Sequence, residues 1–217
     1  MKKIKNYDTV IGKMTEDSDF KKKFLLCIFI YFASFLAILQ ADYIYGQDIR
    51  LLSNTAGLSV SKNAFVNEVL SLVLFTGTKV QDISPIPQLI SIVLLAFSSV
   101  ALVSIFCAKI TFFRVACATV LGLTPYFLPH MCYKFSSLIE CMSILLAIIP
   151  FLFQTRKKFA IASILSLVLA GFLYLPAISI YLIVFSFKMI QKKISGQGGV
   201  FSLPLISMLF SVAFFTI

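Results

Sequence analysis

The sequence predicts an all-helical, polytopic integral membrane protein, with about seven transmembrane helices and a short interfacial or re-entrant helix in the first outer loop. Three observations predict it. Hydrophobic residues make up 59% of the 217 and charged residues 13%, outside the range of soluble domains. The mean hydropathy is +0.98. The basic residues behind the net charge of +10 fall in short groups between apolar runs, as the positive-inside rule requires of cytoplasmic loops. That distribution also excludes nucleic acid as a partner, because no basic stripe is interleaved with exposed aromatic residues.

Residues 1–23 carry seven lysines and read as a cytoplasmic basic tail, with Lys21, Lys22 and Lys23 suited to anionic lipid. Residues 24–217 then form the helical membrane domain. Its first span, 24–39, reads as uncleaved, because no small-residue cleavage site precedes Gln40. Tyr43 and Tyr45 suit the far interface. Further spans are expected at 88–108, 112–129, 137–153, 159–175, 176–190 and 200–217. Prolines sit near their ends (Pro87, Pro129, Pro176) or where a kink is tolerated (Pro125, Pro150, Pro204). The turn at 195–199, Ser-Gly-Gln-Gly-Gly, lacks the lysine of a phosphate loop and reads as a connection.

Between the first two spans lies the outer region 40–87. Within it, Val66, Val69, Leu70, Val73 and Leu74 recur at helical spacing. Thirteen residues (64–76) at about 1.5 Å each reach about 20 Å, short of a hydrocarbon core. An interfacial or re-entrant helix fits. Charge supports that choice. With 64–76 not spanning and the N-terminus inside, fifteen of the nineteen basic residues fall on the inner face. Arg50, Lys62, Lys79 and Lys134 remain outside. Every acidic residue after Asp19 (Asp42, Asp48, Glu68, Asp82 and Glu140) also falls outside. Acidic residues weigh little in insertion, so this grouping suggests a site.

Chemistry is therefore expected at the outer face. Asp42 and Asp48 are about 240° apart on a helix, so a loop or a break near Gly46 must bring them together. Asp48 and Arg50 likewise need non-helical backbone to act as a pair. The plain alternative is that these are solvated charges beside headgroups. His130, following Pro129 without a second histidine, reads as a headgroup-level residue. Cys27, Cys107, Cys117, Cys132 and Cys141, an odd and scattered set without CxxC, read as small buried hydrophobes. The sequence shows no metal-spaced cluster and identifies no cofactor, and it does not tell whether a divalent metal is needed.

Four stretches carry a family resemblance. Asp48-Ile-Arg50 in the first outer loop, Asp82-Ile-Ser-Pro-Ile-Pro-Gln88 before the next span, the segment 125–137 and Tyr174-Leu-Pro-Ala177 together resemble the bacterial serotype-converting O-antigen glucosyltransferases of the Gtr type. The resemblance runs over about 24–193 and is to their N-terminal part. It implies a C-type glycosyltransferase that moves a glucosyl residue from a polyprenyl-phosphate donor to O-antigen glycan of lipopolysaccharide. The reaction would take place at the outer face of the bacterial inner membrane. It implies Asp48, Asp82 and Asp42 as catalytic candidates, with Asp48 the base. Arg50, Lys62, Lys79, Gln88 and Glu140 are the substrate-binding candidates. The chain departs from the family pattern at Gln47, Leu58, Lys62-Asn63 and Ser136. It also ends well short of family length, so a truncated, inactive relative is one alternative. A small transporter or flippase is another, and it would require ionisable groups within the spans.

Overall fold

A computed structural model describes residues 10, 12, 14, 17–41, 84–125, 127–134, 136–153 and 155–194, with the backbone alone at Arg156. The described residues are helical and contain no strand.

The first helix, α1 (Phe20–Ala41), begins four residues before the expected span. Its start is set by polar residues. Phe20 N–H bonds to Asp17 O at 3.0 Å, and Asp19 N–H bonds to Asp17 Oδ1 at 3.1 Å. Lys23 Nζ reaches back to the Asp17 carboxylate at 2.6 Å. Carboxylates here also face the positive end of the helix dipole. The second helix, α2 (Ile86–Phe106), opens with proline in its first turn, where a missing N–H leaves no bond unmade.

The expected span at 112–129 is not one helix. It is α3 (Phe112–Ala118), α4 (Val120–Leu123) and, after a turn at Thr124 and Pro125, the single-turn α5 (Leu128–Cys132). The break between α3 and α4 is at Thr119, whose Oγ1 bonds to Ala116 O at 2.6 Å and competes with the backbone ladder. Next come α6 (Ser136–Ile148) and a 3-10 turn, Ile149–Leu152, tightened at Pro150. The last two described helices are α7 (Arg156–Leu173) and α8 (Ala177–Ile194). The expected spans at 24–39, 88–108, 137–153, 159–175 and 176–190 thus each match a helical element. The 200–217 span and the 64–76 helix lie outside the described residues.

Interhelical contacts set the direction of each helix. Lys23 Nζ lies 5.6 Å from the Phe112 ring, and Cys27 Sγ reaches Val115 O at 3.8 Å. The Tyr31 ring lies against Gly122. So α1 runs alongside α3 and α4 in the same direction. Leu95 also touches Gly122, Gln88 bonds to Met131 O, and α2 joins α3 through 107–111, so α2 runs the opposite way. Ser137 meets Ser91, while Lys188 and Gln191 reach Ile105 O and Phe106 O. The chain therefore passes up and down between two ends. One end holds Lys21, Lys22, Lys23, Lys109, Arg114, Lys157, Lys158, Lys188, Lys192 and Lys193. The other, the far end, holds Ala41, Ser84, Gln88, His130, Glu140 and Tyr174. Ala41 and Ser84, the described residues on either side of 42–83, both stand at the far end.

Among the described residues two helices are long and apolar enough to cross a membrane, Phe20–Ala41 and Ile86–Phe106. By the same measure 112–123 and 136–152 are too short, while α7 and α8 each include three basic residues. Helix α2 is the most enclosed, packed between α1, α3 and α6, and α7 and α8 close the other side of α6. Buried hydroxyls are satisfied where they sit. Ser91, Ser98, Ser104 and Ser143 donate to the carbonyl four residues back. Tyr31 Oη pairs with Ser99 Oγ at 2.7 Å, and Tyr181 Oη donates to Ser163 Oγ at 3.2 Å. The outer faces are apolar, with Phe29, Phe113, Ile161 and Leu165 more than 60% exposed.

Candidate functional site

The far end gathers the polar side chains of the bundle. Gln88 stands in the first turn of α2 and is buried. Its Nε2 donates to Met131 O at 3.0 Å, and Ser84 Oγ stands 3.5 Å from its Oε1. Met131 is itself fully buried. The amide thus ties α5 down onto α2. Of the substrate-binding candidates, Gln88 is already engaged by protein backbone.

Glu140 lies in the second turn of α6 and is buried, and Lys134, on the preceding turn, is buried as well. Glu140 Oε2 stands 2.5 Å from Nδ1 of His130. The alignment is that of an ion-pair contact rather than a straight hydrogen bond. His130 is carried by α5, whose turn is pinned by the bond from His130 N–H to Phe127 O at 3.0 Å. Two rings flank its imidazole. Phe127 is tilted at 5.5 Å between centroids, and Tyr174, at the end of α7, meets it edge-on at 5.7 Å.

Burial holds the imidazole below its ordinary pKa of 6.5, the charged form being the costlier one to desolvate. A neutral imidazole beside a carboxylate can accept or relay a proton and can hold a hydroxyl. The side chain is 27% exposed and is packed against the two rings. Sequence reasoning missed this pairing because ten residues and a tight turn separate His130 from Glu140. The one available signal was the run of Pro129, His130 and Lys134 just before a helix bearing a carboxylate.

The other site candidates, Asp42, Asp48, Arg50, Lys62, Lys79 and Asp82, lie outside the described residues. Their segment is bounded on both sides by the far end, where His130 and Glu140 also stand. Among the described residues no three metal-ligating side chains come together. The cysteines divide. Cys27 and Cys141 are buried as expected, Cys107 and Cys132 are half-buried, and Cys117 is exposed.

A family model described as glucosyl transferase GtrII matches residues 36–217. Neither the curated proteins nor the solved structures include a match to the chain.

Proposed function

The chain belongs to the glucosyl transferase GtrII family, and on that premise we propose that it is a membrane enzyme moving a glucosyl residue from a polyprenyl-phosphate donor to O-antigen glycan at the outer face of the bacterial inner membrane. The observation that carries this reading is the placement of Ala41 and Ser84, which stand at the end of the bundle opposite the lysines. These two residues bracket the segment with Asp42, Asp48, Arg50 and Asp82. By the positive-inside rule the lysine end is cytoplasmic, so the far end faces outward.

The apolar outer faces, with large hydrophobic side chains exposed on α1, α2, α7 and α8, support a lipid environment. In that setting α7 and α8 also cross, their basic residues lying at the cytoplasmic interface where long side chains reach water. The broken segment 112–129 crosses as well, with His130 beyond its outer end. Irregular backbone is tolerated at membrane depth where protein covers it, and α1 and α2 cover the break at Thr119 and Gly122. With the six described passes and 200–217, the count is seven, with the N-terminus cytoplasmic.

In the mechanism, the acceptor hydroxyl loses a proton as it attacks the anomeric carbon, and Asp48 takes that proton. The carrier phosphate leaves with both electrons of the glycosidic bond, and Arg50, with Lys62 and Lys79 in support, stabilises its growing charge. Asp82 and Asp42 orient the acceptor, and the bilayer edge holds the lipid donor in place. Replacing Asp48 by Asn should lower transfer at least about 100-fold while membrane insertion stays normal. Unchanged transfer by that variant removes the base assignment. A transporter would need charge within its helices, and from Phe24 to Ala41, across α2 and from Phe159 to Leu173 there is none.

A further inference from the structure

The far end holds a second chemical feature, separate from the loop carboxylates. His130 is the chain's single histidine. Its Nδ1 is fully buried and faces Glu140 Oε2. The side chain as a whole keeps 27% of its exposure, against 10% for Glu140. The carboxylate is therefore behind the ring, and Nε2 is the nitrogen left for a ligand.

The negative charge of Glu140 beside Nδ1 favours the proton on that nitrogen and leaves Nε2 as an acceptor. Phe127 and Tyr174, both half-buried, pack against the imidazole and supply apolar ring surface beside it. An acceptor nitrogen beside aromatic rings fits a pyranose, which offers hydroxyl donors around its rim and C–H groups on its faces. Binding sites for small polar molecules combine these same parts, a few placed polar groups on an apolar lining.

We propose that His130, oriented by Glu140 and flanked by Phe127 and Tyr174, is a hexopyranosyl-binding subsite that accepts a hydrogen bond from a sugar hydroxyl through Nε2. This rests on the glycosyl-transfer reading of the same end. His130 touches the sugar, and Glu140 is a positioning residue that acts through the imidazole.

Because there is one histidine, nitrogen-15 labelling of histidine in the full chain, held in lipid nanodiscs, gives a single imidazole signal pair. At pH 7 the Nδ1–H tautomer should dominate. Titration with methyl α-D-glucopyranoside should move the Nε2 resonance to saturation, and methyl phosphate should not. E140Q should shift the tautomer balance and weaken the response to the glucoside. In transfer assays H130A should raise KM about three- to tenfold, the worth of one hydrogen bond, with kcat little changed. H130Q, which keeps an acceptor, should recover part of the loss.

An Nε2 resonance unmoved by the glucoside, or an unchanged KM in H130A, overturns the subsite even if the wild type transfers glucose. An Nε2 shift in a protein without transfer activity upholds the subsite and overturns the transferase reading instead.

Discussion

His130 and Gln88 illustrate how much a single polar residue decides in an apolar bundle. Gln88 Nε2 meets Met131 O at 3.0 Å in a buried setting. Q88L would remove the donor and leave a buried carbonyl without it, at a cost of about 1–3 kcal/mol. Thermal unfolding in mild detergent should show the drop. His130 is subject to a proton balance. Its pKa is depressed in the folded chain, so its protonation favours the unfolded chain. The stability it contributes is complete above the ordinary value of 6.5 and is lost as pH falls through the folded value. E140Q removes the one negative charge at Nδ1, so the imidazole should titrate lower still. NMR titration of the single histidine reads that shift directly, and a rise would contradict the placement of the carboxylate.

At the scale of elements, the broken crossing 112–129 is the part most exposed to substitution. Gly122 has no room for a side chain, since a Cβ there would lie 2.8 Å from the Tyr31 ring and 3.1 Å from Leu95. The neighbour in the way is a ring held by its hydroxyl bond to Ser99, so it yields poorly. G122V should cost about 1–3 kcal/mol by overpacking. Y31F keeps the ring and loses the bond, and should cost about 1 kcal/mol. Chemical denaturation of the two variants side by side checks the order. Hydrophobicity made 112–129 resemble a plain span, because the apolar run is continuous through it. The break shows instead in Thr119, whose hydroxyl takes a carbonyl from the ladder, and in Thr124-Pro125, where the backbone leaves the helix. Local residues of that kind kink some helices and pass unnoticed in others, and packing against Tyr31 settles which.

The whole molecule is a two-ended object, and its orientation is the testable consequence. In a variant with the native cysteines replaced, single cysteines at 48 and 82 should react with a membrane-impermeant maleimide added outside intact cells. A cysteine at 157 should react only after lysis. Labelling of 157 alone would invert the molecule and move the loop carboxylates away from an outer-face acceptor.

The sequence alone determined the helical class, the positions of five apolar helices and the separation of basic from acidic residues. Hydrophobic runs and charge groups are local properties, summed along the chain without knowledge of neighbours. Tertiary structure decided which ends share a face, that Ala41 and Ser84 stand at the same one, and that Gln88 is occupied by Met131 O. It alone brought His130 to Glu140, because a contact between side chains on two helices depends on the turn that joins them and the rings that pack around it.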